Sequence, residues 1–441
     1  MRRAFLKINP QVCRFIPEQP PVNQPLLTTP ETTRPAVGVF SAIVLVASLG
    51  NFVDLYDLVL FGVVRVQSLH DLGITDPTEV TNKGLYLMNM QMGGMLLGGL
   101  LWGMLGDKRG RLSVLFGSIL LYSLANIANG FVQTVDQYAW LRLIAGVGLA
   151  GELGAGVTLV AETLPKEKRG YGTMLVTSVG VPGALLAYWV GKTFGWRTAY
   201  FIGGGLGLAL LALRAGVFES GLFEHVRRSG AVRGNFLSLF ANRFRASKYL
   251  RCLLLGVPFW FMAGILITLA PEFGQAFHLQ GAVTGGASIA WCYLGCTLGD
   301  FSSGALGQLL HSRLLVLRYF FVGSAAAVAY FLFGLNGASV GAFYFACFLV
   351  GVAGGFWTLF VTVSAEEFGT NIRATVSTTA PNFARGSLVL VALLFKSGKG
   401  IPALGMVGSA ALIGAVLLVL AFFSASTLPE TYGKELDYVE E

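Results

Sequence analysis

The sequence predicts an all-α membrane protein in which twelve transmembrane helices form two parallel repeats of six. Hydrophobic residues make up 54% of the 441 residues, charged residues only 12%, and the mean hydropathy is +0.67. Soluble domains carry about twice that share of charged residues, so the composition excludes an ordinary soluble enzyme, a disordered chain and a coiled coil. Two further observations support the fold class: the spacing of the apolar segments, and motifs that recur in the second half of the chain.

Apolar segments long enough to cross a bilayer recur along the chain. A spanning helix needs about 20 mostly apolar residues. The only long polar interruption, 219–249, divides the segments six and six. The predicted spans, numbered 1 to 12 in chain order, are 38–65, 83–106, 112–131, 138–161, 171–191, 196–218, 250–273, 284–309, 314–335, 338–364, 374–397 and 401–426.

The segments outside the spans complete a five-part organisation. Residues 1–37 hold seven of the 15 prolines and lack the apolar core of a signal peptide, which indicates a flexible basic tail. The two six-helix bundles are then 38–218 and 250–427, and 428–441 is a short C-terminal tail. The linker, 219–249, combines basic residues with apolar positions. It favours an amphipathic helix on anionic lipid headgroups, or equally a solvated linker.

The distribution of lysine and arginine predicts the orientation. The side that contains the N-terminus collects 22 of the 31 lysine and arginine residues, and the other side collects six. Positive residues concentrate on the cytosolic side of a membrane protein, so both termini and 219–249 are predicted to be cytosolic in the cell membrane. The net charge of +8 therefore indicates orientation in a lipid bilayer and no nucleic-acid partner. The chain is expected to act as a monomer.

Two motifs of the first half recur in the second half at offsets of 201 and 204 residues. Such regular spacing predicts parallel repeats, with a substrate site between them at the membrane midplane and the halves rocking around it. The motif pairs are Gly103-Met-Leu-Gly-Asp107 with Gly304-Ala-Leu-Gly-Gln308, and Ala161-Glu162 and Arg169-Gly170 with Ala365-Glu366 and Arg373-Ala374.

The hairpin 103–111 between spans 2 and 3 predicts a latch between conformations. Its glycines allow a tight turn, and Asp107 can face a helix N-terminus, where the helix dipole favours an anion. Its cations can pair with carboxylates of the other half; the alternative is a positive loop with no gating role. Because Gln308 replaces the acid in the second hairpin, we expect that half to latch more weakly. The predicted gating residues are Gly103, Asp107, Arg109, Arg111, Glu162, Arg169, Glu366 and Arg373.

These motifs resemble those of the major facilitator superfamily over residues 38–436. The resemblance implies the major facilitator fold, in which two six-helix bundles alternate between inward-facing and outward-facing states. It rests on the hairpin, on one motif within span 4 and on one that follows span 4. In this sequence they are Gly103-x3-Asp107-Lys108-Arg109-Gly110-Arg111, Arg142-x3-Gly146 and Glu162-x2-Pro165-x3-Arg169-Gly170.

Within that superfamily the chain is similar to the metabolite:proton symporters. The segment Asp54-Leu55-Tyr56-Asp57 resembles their acidic-x-Tyr-Asp signature, with Leu55 where they often carry tryptophan. The segment 429–436, Pro-Glu-Thr-Tyr-Gly-Lys-Glu-Leu, resembles a tail motif shared with sugar porters and organic cation transporters. Span 7 lacks the paired glutamines of hexose porters, which makes a sugar a less expected substrate.

Asp54 and Asp57 in span 1 are predicted to carry the coupling proton. An ionisable group inside a span costs about 2.5–3.5 kcal/mol, so its presence indicates a functional site. The two acids lie three residues apart on one helix face, where two charges would repel, so one of them should hold a proton, with Asp57 as the first choice. The alternative is that one acid pairs with a basic residue. Glu152 in span 4 is a third coupling candidate, or else makes a structural hydrogen bond to backbone or arginine.

Arg385, near the centre of span 11, is predicted to bind the substrate. Its planar guanidinium suits a carboxylate or a phosphate, and Asn382 lies on the same helix face. The alternative is a structural ion pair between Asp300 and Arg385. Aromatic residues of several spans could line the site or only pack the helices. The predicted substrate-binding residues are Arg385, Asn382, Asp300, Arg142, Tyr56, Trp260 and Trp357.

Together these features predict a secondary active transporter, which moves a small polar or anionic metabolite with protons. A proton-coupled antiporter or exporter of amphipathic compounds is the main alternative. A membrane sensor would need a signalling domain, and a membrane enzyme would need a nucleophile–base pair or metal cluster near one interface; the sequence shows neither. No cofactor is expected, since there is no Walker loop, and Cys292 and Cys296 have no histidine beside them to complete a metal site.

Overall fold

The first half of the chain folds into six helical spans, as its apolar segments predict. A computed structural model describes residues 39–165, 168–214 and 236–434, without the side chains of Arg111, Leu112, Glu162 and Ser238. Spans 1, 2, 3 and 6 are the single helices Ala42–Asp71, Pro77–Arg109, Arg111–Asn129 and Trp196–Leu213. Span 4 consists of Val135–Leu149 and Glu152–Thr163, and span 5 of Arg169–Gly180 and Pro182–Phe194.

The second half repeats the arrangement with six further spans. Spans 8, 9, 11 and 12 are Gly285–Leu309, Arg313–Phe333, Arg373–Lys399 and Gly405–Thr427. Span 7 runs through Arg243–Phe261, a π-helical segment Met262–Ile267 and Ala270–Ala276. Span 10 consists of Val340–Gly354 and Trp357–Glu366. Every described residue belongs to one compact unit, 37–441.

Glycines in spans 2 and 8 make the internal repeat visible in the packing. Gly94 and Gly98 of span 2 lie against the backbone of span 4, and Gly295 and Gly299, each 201 residues later, lie against span 10 in the same way. A side chain at any of the four would collide with that backbone. Nine described helical segments are long and apolar enough to cross a membrane. The helices of spans 2 and 8 do not reach that hydropathy, because glycine contributes little to it.

Spans 1 and 2 are longer than predicted. The helix of span 1 continues to Asp71 instead of ending at 65, and span 2 begins at Pro77 instead of 83. The apolar run underestimates both helices because their ends are polar. Span 2 starts early because Asp76 accepts a hydrogen bond from the backbone N–H of Glu79, while Pro77 occupies the first helical position, where its missing N–H is not needed.

The interruptions of spans 4, 5, 7 and 10 were not predicted. Proline accounts for the break in span 5, where Pro182 begins the second helix, and Pro258 lies within span 7 just before its π-helical segment. In span 10 the break occurs at Gly355, which packs directly on the backbone of Gly299 and Asp300 in span 8. Such close contacts depend on tertiary packing that the sequence pattern does not display.

The described part of the linker differs from the expected amphipathic surface helix. Residues Phe236–Phe240 form one short 3-10 turn, and span 7 begins at Arg243, inside the predicted linker. Leu239 is buried, and the Phe236 ring packs against Phe383 of span 11 at a centroid distance of 5.7 Å. This segment is therefore attached to the second half by apolar contacts. The predicted tail 1–37, residues 219–235 of the predicted linker and the end of 428–441 lie outside the described residues.

Candidate functional site

A small cavity lies between the two halves, near the middle of the spans. Its volume is about 20 Å³, and a second cavity of about 40 Å³ shares Trp260 and Tyr293 with it. Spaces of this size hold water molecules but not a metabolite, so the described halves are closed around the site. The first cavity is lined by Asn51, Leu55, Thr177, Val181, Phe259, Trp260, Tyr293, Cys296, Asp300, Trp357 and Arg385.

Arg385 is buried in the wall of this cavity and contacts both halves. Its Nη2 donates to Oδ2 of Asp54 in span 1 at 3.3 Å, and its Nη1 donates to Oδ1 of Asn382 at 3.4 Å. Its guanidinium carbon lies 5.7 Å and 5.8 Å from the ring centroids of Trp260 and Trp357. The permanent positive charge is therefore compensated by an acid of the other half and by two aromatic rings.

The alternative Asp300–Arg385 ion pair is wrong. Asp300 also lines the cavity, but its Oδ1 accepts hydrogen bonds from the backbone N–H and the hydroxyl of Thr358, at 3.0 and 2.9 Å. Asp300 thus caps the second helix of span 10, which exists only because span 10 is interrupted. The sequence could not indicate this role without the interruption.

Asn382 joins span 11 to the first half. Its Nδ2 donates to the carbonyl oxygen of Ala150 at the break in span 4, and to the carbonyl of Thr378, each at 2.7 Å. Its Oδ1 remains available to Arg385. Asn382 therefore positions the guanidinium while it holds the halves together, and it does not line the cavity itself.

Asp57 lies inside the first half and lines neither cavity. It is 1% exposed, and neither of its carboxylate oxygens accepts a hydrogen bond from a described residue. Its Oδ1 lies against Gly203 of span 6, where a side chain would not fit, and Asn126 and Arg142 are its polar neighbours. Asp57 is therefore enclosed by spans 3, 4 and 6 of its own half.

Arg142 and Tyr56 pack around Asp57 and do not line the central cavity. Arg142 donates to Oε1 of Gln91 and, at 3.3 Å, to the hydroxyl of Tyr200, and its guanidinium lies 4.7 Å from the ring of Phe61. The hydroxyl of Tyr56 donates to the carbonyl of Ala199 at 2.8 Å. Arg142 therefore lies near Asp57 without an ion pair between them, and the prediction that it lines the central cavity does not fit the described lining.

Glu152 makes a buried ion pair with Arg214 at the end of span 6. Both side chains are 1% exposed, and Nη1 of Arg214 donates to Oε2 of Glu152 at 3.1 Å, with a second hydrogen bond between Nη2 and Oε1. The sequence had left open an arginine partner for Glu152, and span 6 supplies it. This geometry favours the structural interpretation of Glu152 over a coupling role.

The hairpin joins the two halves through Asp107. Its carboxylate accepts hydrogen bonds from the backbone N–H groups of Ala374 and Thr375 at 3.1 and 2.7 Å, and from the hydroxyl of Thr375 at 2.5 Å. Asp107 of span 2 thus caps span 11 of the other half, and Gly103 packs on Thr375 where a side chain would be tight. We call this side of the protein the hairpin face.

The equivalent contact in the other repeat joins Gln308 of span 8 to the start of span 5. The Gln308 amide lies directly against Gly170, the residue that corresponds to Ala374 in the repeat. A neutral amide takes the place of the carboxylate there, which is the reason for expecting a weaker latch at this contact. The two hairpins are therefore symmetric in position but not in charge.

The remaining predicted gating residues have different surroundings. Glu366 pairs with Arg313 of its own half at 3.1 Å, so this pair does not bridge the halves. Arg169 donates to the carbonyl of Leu164 at 3.2 Å, Arg373 is buried at the start of span 11, and Arg109 is exposed on the hairpin. The side chains of Arg111 and Glu162 are not among those that the structure describes.

The opposite face of the protein is closed by an ion pair that the sequence did not predict. Arg65 of span 1 donates to Oε1 of Glu272 in span 7 at 3.3 Å, and Thr81 of span 2 donates to the same oxygen at 3.2 Å. The Glu272 side chain is only 21% exposed. The internal repeat could have indicated this ion pair, because spans 1 and 7 are equivalent and both carry a charge near the same end.

The sequence profile described as the Major Facilitator Superfamily matches residues 40–392. The chain belongs to the major facilitator superfamily. It is therefore a multi-pass membrane transporter and not an enzyme, and the twelve-helix fold of two parallel repeats is confirmed. Among the described residues, no group of three or more histidine, cysteine or acidic side chains is placed to hold a metal ion.

Several relatives within the superfamily have named substrates. The chain is 28% identical to a probable 4-methylmuconolactone transporter of Cupriavidus pinatubonensis, over 78% of this chain and 81% of the relative. It is also 28% identical to a putative niacin/nicotinamide transporter, NiaP, of Bacillus subtilis, over 77% of this chain and 84% of the relative. A benzoate transport protein of Acinetobacter baylyi is 28% identical over 37% of this chain and 36% of the relative.

The fold is also similar to that of solved transporters. The proton:xylose symporter XylE, bound to 6-bromo-6-deoxy-D-glucose, matches with a TM-score of 0.71 and 17% identity, over 90% of this chain and 98% of the other. A partially occluded inward-open XylE from E. coli matches with a TM-score of 0.67 and 16% identity, over 90% and 99%. At this identity the likeness shows the fold of the superfamily and nothing about substrate.

Proposed function

We propose that this transporter is a proton-coupled symporter of a small organic acid that works by alternating access. The observation that carries the proposal is the buried guanidinium of Arg385, which pairs with Asp54 across the interface between the halves and lies beside two tryptophan rings. The moving units are the bundles 38–218 and 250–427, with the hairpin face and both termini cytosolic.

The substrate carboxylate replaces Asp54 as the partner of Arg385. A guanidinium can hold a carboxylate by two parallel hydrogen bonds, and it keeps its charge in a buried site. In the closed structure only one of its terminal nitrogens reaches Asp54, at 3.3 Å. An incoming carboxylate and an ionised Asp54 would repel each other across the same guanidinium. A proton on Asp54 removes that repulsion, so proton and anion each favour the binding of the other.

Asp57 supports the exchange from one helical turn away. It lies on the same face of span 1 as Asp54, and Arg142, not Arg385, is the arginine among its polar neighbours. A second buried acid allows a proton to be held by span 1 while Arg385 changes partners. The charge of the occupied site then stays constant, because one proton enters with one anion.

The aromatic residues favour a substrate that carries a ring. Trp260 and Trp357 have their ring centroids 5.9 Å apart in an edge-to-face arrangement, and both lie beside the Arg385 guanidinium. A flat ring that packs against such side chains gains stacking as well as burial. Relatives are named as transporters of niacin, benzoate and gallate, all of which are ring carboxylates. We therefore place the substrate in this chemical class.

Transport of radiolabelled gallate into liposomes that contain the purified protein tests the proposal. With an inward proton gradient we expect accumulation above the equilibrium level, and its loss when the gradient is abolished. Liposomes with the Arg385→Ala variant control for passive entry of the acid. Accumulation that requires the opposite proton gradient would favour the antiporter. Failure of gallate, benzoate and nicotinate alike to be accumulated would exclude a ring carboxylate as the substrate class.

A further inference from the structure

A wide vestibule opens on the face opposite the hairpin. It has a volume of about 470 Å³ and lies between the ends of spans 1, 2 and 7. This volume falls within the roughly 300–1,000 Å³ of small-molecule sites. The central cavities are more than tenfold smaller, so within the described chain the vestibule is a space that a metabolite can enter without any rearrangement.

The wall of the vestibule carries a cation with unused hydrogen-bonding capacity. Arg65 is 4% exposed, and only its Nη2 reaches Glu272. Its Nη1 is buried and donates no hydrogen bond to a described residue, and Oε2 of Glu272 accepts none. A buried guanidinium held by one oxygen of one carboxylate has room for a second carboxylate.

The rest of the lining suits an organic anion. Lys399 and His70 add positive or proton-accepting groups, while Glu272 is the one acid among the lining residues. Threonine hydroxyls and the amides of Asn82 and Gln275 supply hydrogen-bond donors, and Pro271 and Val66 supply apolar surface. The lining is therefore net positive with apolar patches, which matches a small ring carboxylate and not a cation.

We propose that the vestibule is a second binding site for a small organic carboxylate, in which the ligand replaces Glu272 on Arg65. This inference rests on the proposed function for its ligand class, but it concerns different residues. Since the Arg65–Glu272 pair joins span 1 to span 7, its replacement also separates the halves at this face. Binding at the vestibule thus loosens the contact that blocks the path to the central cavity.

Equilibrium binding of radiolabelled benzoate to the purified full-length protein tests the proposal. All variants are made in an Arg385→Gln background, so that the central site does not contribute. Arg65→Gln should weaken the remaining binding at least about tenfold, because the charge-assisted bond is lost. Glu272→Gln should tighten it about threefold, since a competing, partly exposed carboxylate is removed. Lys83→Gln, which removes an exposed charge of span 2 outside the vestibule lining, should change nothing.

Opposite effects of the Arg65 and Glu272 substitutions on benzoate binding distinguish ligand exchange from a purely structural ion pair. A structural pair predicts that both substitutions lower the melting temperature equally and leave benzoate binding unchanged, and this result would overturn the proposal. Arg65→Lys, which keeps the charge, should retain part of the binding and guards against misfolding of Arg65→Gln. Absence of saturable benzoate and nicotinate binding in the Arg385→Gln protein would also overturn it. If the natural protein and the Arg385→Gln protein bind benzoate equally, that result would count against the proposed function only.

Discussion

Arg385 carries a permanent charge in the middle of the protein, and its neighbours determine what that charge can do. Insertion scales assign a buried arginine a cost of about 2.5–3.5 kcal/mol, which its partners must offset. Asp54, Asn382 and two tryptophans supply this compensation, and three of these four groups come from the second half of the chain. The pairing across the halves means that separation of the halves exposes the guanidinium to a new anion.

A double-mutant cycle tests whether Asp54 is the partner of Arg385. Breaking a buried ion pair costs about 3–5 kcal/mol, because one charge is left without its partner. We therefore expect Arg385→Met and Asp54→Leu each to lower the melting temperature, and the double substitution to recover most of the loss. The matched control is the cycle of Arg385→Met with Asp300→Asn, in which the losses should add. Recovery of the melting temperature in the control cycle would show that Asp300 is the partner of Arg385.

At the scale of elements, two contacts, one on each face of the protein, hold the closed state. On the hairpin face the Asp107 carboxylate caps span 11, where three donors converge on it. On the other face Arg65 and Thr81 hold Glu272 of span 7. Each contact joins one half to the other, so the proposed alternating access requires that they break in turn.

Asp107→Asn tests the latch on the hairpin face. The substitution replaces a charge at a helix N-terminus with a neutral amide, which weakens the contact by about 0.5–2 kcal/mol. Because the contact is remote from the central cavity, we expect a severalfold change in transport rate and nearly unchanged substrate affinity. Asp136→Asn, at an exposed helix start on the other face, is the control. Reduced affinity at an unchanged rate would contradict the latch.

At the scale of the whole molecule, the orientation in the membrane is a prediction from the charge distribution alone. In right-side-out vesicles, a cysteine that replaces Thr75 at the vestibule should react with a membrane-impermeant thiol reagent. Cysteines that replace Ser229 and Asp437 should not react. The four described cysteines are buried, so a Cys13→Ser background keeps unspecific labelling low. Labelling at Ser229 from outside would reverse the predicted orientation.

The sequence predicted the fold better than the site. Apolar runs and motif offsets are local or periodic signals, and they predicted the twelve-helix fold and its two repeats. The role of Asp107 as a latch stays a prediction. The partners of the buried charges depend on the helix interruption at Gly355 and on contacts that arise only when distant spans pack. Sequence patterns could therefore place Arg385 and Asp54 inside spans, but the ion pair they offered for Arg385 was with Asp300 and not with Asp54. The Arg65–Glu272 pair was not predicted, although spans 1 and 7 are equivalent and both carry a charge near the same end.

The central claim is that a proton on Asp54 and an anion on Arg385 replace the ion pair between these residues. Calorimetric titration of the purified protein with benzoate at pH 7, in two buffers of different ionisation enthalpy, measures the protons taken up per bound ligand. The account predicts uptake of up to one proton by the natural protein. It predicts none by Asp54→Asn, in which benzoate binding is at least as tight. Proton release on binding, or equal uptake by Asp54→Asn, would contradict it.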